Sequence, residues 1–262
     1  MAVVQVGWRM NYYNELDPHA AQWLRNLISA GLIPAGDVDE RSIEDVRPSE
    51  LRGFTQCHVF AGIGGWPLAL ALAGWPVDRP VWTGSCPCQP FSAAGRGDGF
   101  ADQRHLWPAW FHLIRECRPE CVFGEQVASA IGHGWLDLVS ADLEAEDYAI
   151  GCAVLGAHSV GAPSIGNRLF FVAAPNGARC ARERPAQSNE WKRHPFVLGD
   201  FATSHGSDGR KRPVDSRPYS LGYGVSSRVA FNRAYGNAIV PQTAAAFIRA
   251  FVESGENVRA AA

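Results

Sequence analysis

The segment 81–92, which reads Val-Trp-Thr-Gly-Ser-Cys-Pro-Cys-Gln-Pro-Phe-Ser, restricts the possible folds of this chain the most. Its first residues are β-branched and aromatic and favour a buried strand, whereas Pro87 and Pro90 can continue neither a strand nor a helix. The pattern predicts a strand that ends here and presents Cys88 on a loop. Nucleophiles occupy such loops, and a buried structural cysteine is an equal alternative on this segment alone.

Short apolar runs alternate with helical patterns along the rest of the chain. Strands are predicted at 3–13, 57–60, 120–124, 148–155 and 169–173, with a short one at 42–46, and helices at 19–31, 67–73, 106–117 and 135–143. This alternation favours an α/β fold with a doubly wound, mostly parallel sheet. A chain of 262 residues accommodates one such domain and a small appendage.

Composition excludes several classes of protein. The seven cysteines are an odd, scattered set, which favours reduced thiols over a disulfide framework. Neither the Cys86/Cys88 pair nor the Cys117/Cys121 pair has histidines at partner spacing, so we predict no metal site. Without a signal peptide or a membrane-length apolar run, we expect a cytoplasmic protein with no membrane partner.

A carboxylate follows the first predicted strand. Glu15 precedes Asp17 and Pro18, which we predict as the N-cap and first residue of a helix. In doubly wound folds an acid at this position holds the ribose hydroxyls of a nucleoside-bearing cofactor, so Glu15 is the candidate cofactor acid, with a solvated loop glutamate as the alternative. Asp37, Asp39 and Ser42 remain equal candidates for contacting an adenine amine.

A glycine-rich turn joins the strand at 57–60 to the next helix. The sequence Phe60-Ala-Gly62-Ile-Gly64-Gly65 lets the backbone turn tightly and lie against a ligand, because glycine has no Cβ. The turn predicts a site for a nucleotide-like cofactor. By itself it does not distinguish a nucleotide or dinucleotide from other ligands of this kind.

Several motifs together resemble the DNA cytosine-5 methyltransferases. The segment 87–92 resembles the signature loop of that family, Phe-x-Gly-x-Gly-Gly at 60–65 resembles its first motif, and Gly-Asn-Ala-x-x-Pro at 236–241 resembles its last. The resemblance implies a Rossmann-like domain that binds S-adenosylmethionine at the glycine turn. It also implies that Asn237 caps or contacts the methionine end of that cofactor.

The same resemblance assigns the catalytic residues. Glu125-Gln126-Val127 stands where the family has Glu-Asn-Val, and Arg168 matches the last arginine of its Gln-x-Arg-x-Arg motif. In the implied reaction Cys88 adds to C6 of a flipped-out cytosine, Glu125 hydrogen-bonds N3 and the amine, and Arg168 holds the carbonyl. Gln126 replaces the usual asparagine, while Ser164 and Gly166 replace the glutamine and first arginine, so one phosphate contact is expected to be lost.

The order of the motifs departs from that of most family members. Only about 20 residues separate Gly65 from Cys88, too few for two further strand-helix units. The two units that carry Glu15 and the acidic stretch 37–46 instead lie upstream of the glycine turn. We therefore predict a rearranged motif order, as in compact phage-borne or orphan members that protect DNA in restriction-modification.

Residues 175–228 form a separate, loop-rich region, which we predict to be a short target-recognition region between catalytic segments 1–174 and 229–262. It contains ten Arg and Lys residues against five Asp and Glu, a local net charge of +5 in a chain whose net charge is −2. Such a region fits phosphate contact, with an ordinary surface linker as the alternative. The predicted contacts to duplex DNA are Gln89, Ser92, Arg96, Arg210, Lys211 and Arg212.

These patterns predict a monomeric DNA (cytosine-5) methyltransferase. Two alternatives remain open on the sequence. One is a catalytically weak or silent DNA-binding relative, because of the departures at 126, 164 and 166. The other is an RNA cytosine-5 methyltransferase, because cytosine is read similarly in both polymers.

Overall fold

A computed structural model of the chain describes residues 11–87, 106–162, 166–176, 202–205, 211–214 and 238–260. Its described strands form one seven-stranded sheet and a separate two-stranded one. The strands are β1 (Asn11–Asn14), β2 (Gly36–Asp39), β3 (Gln56–Val59), β4 (Val81–Ser85), β5 (Val122–Val127), β6 (Tyr148–Gly156), β7 (Asn167–Pro175), β8 (Ala202–His205) and β9 (Lys211–Val214). The helices are α1 (Pro18–Ser29), α2 (Pro48–Leu51), α3 (Gly65–Ala73), α4 (Trp107–Cys117), α5 (Trp135–Ala145) and α6 (Pro241–Ala260), with 3₁₀ turns at Ile43–Asp45, Ala128–His133 and Ala157–Val160.

The large sheet has the strand order β2-β1-β3-β4-β5-β7-β6. The first five strands in that order are parallel to one another. Strand β7 pairs antiparallel with both β5 and β6. Because parallel strands share one carboxyl edge, the residues that follow β1, β2, β3, β4 and β5 meet at that edge, which is where ligands bind in open α/β sheets.

Helices cover both faces of the sheet, which confirms the predicted doubly wound α/β class. On one face Trp107 of α4 and Trp135 of α5 pack against Phe171 of β7. On the other face Trp66 of α3 and Phe247 of α6 pack against Phe170 of β7. Alternate residues of each strand therefore enter two different cores, and a side chain's position along a strand fixes its face.

Helix α1 begins as the sequence predicts. Asp17 is its N-cap, and its carboxylate accepts hydrogen bonds from the backbone N–H groups of His19 and Ala20. Pro18 occupies the first helical position, where its missing N–H has no intrahelical partner to lose. This cap fixes the start of the helix and therefore the path of the chain that carries Glu15 out of β1.

The short strand predicted at 42–46 is wrong. Residues Ile43–Asp45 form a 3₁₀ turn because Ser42 caps it, accepting a hydrogen bond from the Glu44 N–H. The strand forms earlier, at Gly36–Asp39, where the backbone pairs in parallel with β1. A Cβ at Gly36 would lie 2.2 Å from the Asn11 carbonyl oxygen, so only glycine fits this close approach.

The predicted target-recognition region contains two described strands. Within residues 175–228, strands β8 and β9 form an antiparallel pair, with His205 opposite Lys211 and Ser204 opposite Arg212. Of the predicted strand 3–13, residues 11–13 lie in β1 and residues 3–10 fall outside the described part of the chain. None of the helices within the described ranges combines the length and apolar character that crossing a bilayer requires.

Candidate active site

An ion pair between a buried acid and a partly exposed guanidinium stands at the carboxyl end of β5. The Nε of Arg168 lies 2.8 Å from Oε1 of Glu125, whose side chain is 6% exposed. The two residues occupy neighbouring antiparallel strands, with Glu125 opposite Phe170 and Arg168 opposite Val127. Glu125 is two positions from Phe123 and Arg168 is two positions from Phe170, so the alternation of each strand places both side chains on the α3 and α6 face. The sheet therefore brings together an acid and a guanidinium that are 43 positions apart in the sequence.

The surroundings of Glu125 make it a proton donor near neutral pH. Burial raises the pKa of its carboxyl to about 7, against the lowering effect of Arg168 and of a hydrogen bond with Ser85. A carboxyl group in this state is partly protonated at pH 7 and can both give and accept a proton. Arg168 uses Nε toward Glu125 and donates from Nη1 to its neighbour's carbonyl, Asn167 O, at 3.3 Å.

Ser85 connects this pair to helix α3. It is the last residue of β4 and lies opposite Glu125 in the parallel register. The indole Nε1 of Trp66 donates a hydrogen bond to the Ser85 hydroxyl at 3.0 Å, and the same hydroxyl hydrogen-bonds the Glu125 carboxylate. Sequence analysis did not identify Ser85 or Trp66 as site residues. The signal available for Ser85 was its position at the strand end before the cysteine loop.

Gln126 joins β5 to the start of the cysteine loop. Its side chain is buried, donates from Nε2 to the Cys86 carbonyl at 3.3 Å and accepts at Oε1 from the Val127 N–H at 3.0 Å. A glutamine thus ties down the backbone two residues before Cys88. Gln126, which stands where the resembled family has asparagine, therefore has defined hydrogen bonds at both its amide nitrogen and its amide oxygen.

The glycine turn after β3 has the backbone geometry that its sequence requires. Gly62 and Gly64 have φ values of +56° and +86°, in the left-handed region, and Phe60 has φ +52°. A non-glycine residue at positive φ is uncommon and concentrates at functional sites. A Cβ on Gly62 would meet no protein atom within 4 Å, whereas one on Gly64 would lie 3.1 Å from Leu27. Gly62 therefore faces open space, whereas the missing side chain at Gly64 lets Leu27 of α1 pack closely against the turn.

Glu15 leaves β1 beside this turn. Its Oε2 accepts a hydrogen bond from the Gly62 N–H at 2.7 Å, and its Oε1 accepts one from the Asp17 N–H at 2.9 Å. Burial raises the pKa of the carboxyl, and these two hydrogen bonds oppose that effect. An ionised carboxylate has about four acceptor positions, so two remain for hydroxyl donors.

The three candidates for the adenine contact have different surroundings. Asp39 ends β2 next to Glu15, and its carboxylate binds Arg41 at 2.7 Å and accepts a hydrogen bond from the Tyr12 hydroxyl at 2.8 Å. Its pKa is lowered by the hydrogen bonds from Arg41, which outweigh its partial burial. Asp37 is exposed on the same strand, and Ser42 is the cap of the 3₁₀ turn.

A cleft with about 290 Å³ of empty space lies between the glycine turn and the strand ends. Its walls include the predicted residues Phe60, Gly62 and Gly65 and also Trp66 and Ser85. The chain that leads into α6 closes one side through Ala238 and Ile239. A Cβ on Gly65 would lie 2.7 Å from Cγ1 of Ile239, so glycine permits this contact.

Other predicted site residues lie outside the described residues: Cys88, Gln89, Ser92, Arg96, Ser164, Arg210 and Asn237. For Lys211 and Arg212 the structure describes only their place in β9. The structure describes the residues that lead into the cysteine loop. Strand β4 ends at Ser85, beside Glu125, and Cys86 is anchored by Gln126.

Comparisons with known proteins relate part of this chain to DNA methylases. A family model for C-5 cytosine-specific DNA methylases matches residues 76–199, the span that carries the cysteine loop, Glu125 and Arg168. The Type II methyltransferase M.HhaI of Haemophilus parahaemolyticus is 25% identical over 196 residues, which cover 60% of this chain and 58% of that protein. M.AplI of Arthrospira platensis is 33% identical over 95 residues, 36% of this chain and 28% of that protein.

The fold is a Rossmann-like α/β domain, and 124 of the 262 residues of the chain, 76–199, resemble the C-5 cytosine-specific DNA methylase family. The chain spans little more than half the length of M.HhaI and a smaller share of M.AplI. Among solved structures, the Entamoeba histolytica methyltransferase EhMeth superposes with a TM-score of 0.44 at 14% identity, covering 62% of this chain and 44% of that one.

Proposed function

We propose that this protein transfers a methyl group from S-adenosylmethionine to C5 of a cytosine that is flipped out of duplex DNA. The observation that carries the proposal is the ion pair of the buried Glu125 with Arg168, which stands beside the strand end that leads to Cys88. An acid and a guanidinium at this place can hydrogen-bond two parts of a cytosine ring, the edge with N3 and the exocyclic amine and the carbonyl at position 2. A glycine-lined cleft for the methyl donor opens on the same side.

Cys88 would supply the nucleophile. Cytosine C5 is a poor nucleophile, and addition of a thiolate to C6 places electron density on C5, where it can attack a methyl cation equivalent. Removal of the C5 proton then restores the ring double bond and expels the cysteine thiolate, so that the enzyme is regenerated. The base must leave the duplex for this, because C6 is inaccessible within the stack.

Glu125 would bind the ring edge that carries N3 and the exocyclic amine. Its pKa of about 7 allows it to donate a proton toward N3 as negative charge builds in the ring. The carboxyl's second oxygen can accept from the amine. This two-point contact distinguishes cytosine from thymine, whose N3 carries a hydrogen and whose position 4 is a carbonyl.

Arg168 would bind the carbonyl at position 2 of the base. Its guanidinium has five N–H donors, and the contacts to Glu125 and Asn167 engage Nε and Nη1. The donors on Nη2 suit a neutral carbonyl oxygen. Because Arg168 also neutralises Glu125, it keeps the acid from carrying an uncompensated buried charge.

The cleft residues fit the cofactor that the family uses. Glu15 has acceptor capacity for the ribose hydroxyls, Gly62 leaves open the space that a Cβ would fill, and Phe60 provides an apolar wall. Asn237 would contact the methionine end. S-adenosylmethionine supplies an electrophilic methyl group on a sulfonium centre.

A rearranged motif order belongs to the proposal. It is supported by the positions of β1 and β2, which precede the glycine turn in the chain yet pair beside the strand that carries it, in the order β2-β1-β3. Glu15 thereby reaches the turn through its hydrogen bond to Gly62. Each displaced unit forms a complete strand with its own connection, so chain order does not prevent assembly.

Duplex DNA would be held by residues 175–228 together with Gln89, Ser92 and Arg96, with the protein acting as a monomer. The local net charge of +5 in 175–228 supports phosphate contact, and Lys211 and Arg212 sit on one strand of its β-ribbon. Phosphate contacts of this kind position a protein on DNA, while base contacts determine the recognised sequence.

Trapping of a covalent adduct tests the proposed function. Duplex DNA that contains 5-fluorocytosine cannot release its C5 substituent, so the wild-type protein with S-adenosylmethionine should form a denaturation-resistant complex. Cys88→Ser should abolish it, and Cys152→Ser, at an exposed position of β6, should not. An adduct that persists in the Cys88 variant would assign the nucleophile elsewhere. Uptake of labelled methyl groups by tRNA but not by duplex DNA would replace the proposal with an RNA enzyme.

A further inference from the structure

We infer that Ser85 is a positioning residue: its hydroxyl, fixed by the indole of Trp66, donates to the Glu125 carboxylate and holds the acid in place for the base, an inference that rests on the proposed function. The contacts run in one line from α3 through β4 to β5. Trp66 Nε1 lies 3.0 Å from the Ser85 oxygen, and Ser85 lies opposite Glu125 in the sheet.

The direction of the two hydrogen bonds follows from their chemistry. The indole N–H is a donor only, so at the Trp66 contact the Ser85 oxygen must be the acceptor. An ionised carboxylate is an acceptor only, so whenever Glu125 is ionised the Ser85 hydroxyl must point its own proton at it. Trp66 thus prevents the hydroxyl from rotating away, because its lone pair is engaged on the other side.

Two groups on opposite strands restrain the carboxylate. Among the described residues, Arg168 on β7 is the charged side chain that faces it, and Ser85 on β4 supplies the neutral donor, while Trp66 from α3 contributes no charge. Both donors favour the ionised form and counter the effect of burial. Loss of the hydroxyl would leave Glu125 held from one side only and would raise its pKa further.

Ser85 and Trp66 also line the cleft beside the glycine turn. The hydroxyl therefore stands between the space proposed for the methyl donor and the acid proposed to bind the base. A purely structural role is the competing interpretation, since the buried indole of Trp66 needs an acceptor in any case. That role predicts a loss of stability when Ser85 is replaced, with no change in how Glu125 titrates.

Direct titration of Glu125 separates the two interpretations. In cofactor-free protein labelled with ¹³C at glutamate carboxyls, the Glu125 signal is assigned by its loss in Glu125→Gln, and its midpoint is followed with pH. We expect a midpoint near the wild-type value in Ser85→Thr, which keeps the hydroxyl. In Ser85→Ala we expect it to move up by roughly one pH unit, the scale of one hydrogen bond to a charged group.

Trp66→Phe provides a second variant, in which Ser85 keeps its hydroxyl but loses the group that fixes it. We expect a smaller upward shift. The matched control is Trp107→Phe, which also removes a buried indole donor, one that bonds to Asp142 at 2.7 Å on the other face of the sheet. Its melting temperature should fall while the Glu125 midpoint stays unchanged.

The result that overturns the inference is a Ser85→Ala protein whose Glu125 midpoint equals that of wild type. A shift of the same size in Trp107→Phe would overturn it as well, since the effect would then follow general destabilisation. The pH profile of methyl transfer should move with the titration in Ser85→Ala. If the wild-type protein neither methylates DNA nor forms an adduct, the proposed function fails, and the NMR midpoint still decides whether Ser85 acts on Glu125.

Discussion

At the scale of single residues, the chemistry of the site depends on a buried acid whose charged form is disfavoured by its burial. Glu125 is buried at the end of β5, and its carboxyl is protonated at a pH where exposed glutamates are ionised. Arg168 and Ser85 keep that shift within the range that a proton donor at neutral pH requires. The same carboxyl would be unsuitable as an acid if it were exposed, because it would already be ionised at pH 7.

Replacement of Glu125 tests its role as the proton donor. We expect Glu125→Gln to lower kcat for methyl transfer by roughly 10²- to 10⁴-fold, the usual contribution of a positioned acid. Glu144→Gln is a matched control at an exposed position of α5 and should have wild-type activity. Wild-type kcat in Glu125→Gln, measured by methyl incorporation into duplex DNA, would remove this residue from the mechanism.

The raised pKa of Glu125 also predicts a pH dependence of stability. The folded protein keeps a proton on this carboxyl up to about pH 7, whereas the unfolded chain releases it near pH 4.5. Its contribution to the free energy of unfolding is therefore full below the lower value and is lost as the pH rises to the upper one. We expect Glu125→Gln to flatten this part of the pH profile, measured by denaturant unfolding, and an unchanged slope would contradict the assignment.

At the scale of secondary structure elements, the turns after β3 and β4 decide what the site can hold. The first turn depends on glycines at positive φ, and the second is anchored through a side chain of β5. Both lie at the carboxyl edge of the sheet, so a change in either one displaces residues that belong to the same site.

Gly62 offers a test of the cofactor cleft with an internal control. Gly62→Ala and Gly31→Ala both place a Cβ at positive φ, +56° and +67°, and neither Cβ meets a protein atom within 4 Å. We expect each to cost about 1–2 kcal/mol of stability for the left-handed backbone. Only Gly62→Ala should weaken S-adenosylmethionine binding, measured by titration calorimetry, because Gly62 lines the cleft. Equal binding by both variants would place the cofactor elsewhere.

Gln126 offers a test of the loop anchor. Gln126→Ala removes the hydrogen bonds to the Cys86 carbonyl and from the Val127 N–H, and one such hydrogen bond contributes about 0.5–1.5 kcal/mol. We expect a clearly lower melting temperature and slower adduct formation. Gln22→Ala, at an exposed position of α1, should change the melting temperature little. If both variants melt alike, the buried contacts of Gln126 contribute nothing to stability.

At the scale of the whole molecule, charge is distributed unevenly. The chain as a whole carries a net charge of −2, while residues 175–228 carry +5. Attraction to a polyanion must therefore come from one region and not from the average charge of the protein. Strand β9 carries Lys211 and Arg212 in that region, opposite β8.

The basic cluster 210–212 predicts a measurable salt dependence. Replacement of all three residues by alanine should reduce the slope of log K against log salt for duplex DNA by about 2–3, because each neutralised phosphate contributes roughly 0.9. Arg115→Ala, at an exposed position of α4, should leave the slope unchanged. Fluorescence anisotropy over a range of salt concentrations measures both. An unchanged slope in the triple variant would show that the cluster does not contact phosphates.

Local sequence patterns predicted most of the elements because their causes are local. Asp17 and Pro18 mark the start of α1, and the prolines after Ser85 mark the end of β4. The predicted strand at 42–46 failed for a reason that is not local. Gly36–Asp39 gains its strand conformation from pairing with β1, and that pairing depends on the close approach of Gly36 to Asn11.

The sequence by itself determined the class of fold, because hydrophobic period, turn residues and capping act within a few positions. Tertiary structure decided which residues of the site meet. Glu125 and Arg168 pair across β5 and β7 because strand register and alternation put them and Ser85 on one face of the sheet. Trp66 reaches Glu125 through Ser85 because helix α3 packs on that same face. Register is a long-range property, and the burial that raises the pKa of Glu125 exists only once the sheet and its helices have assembled.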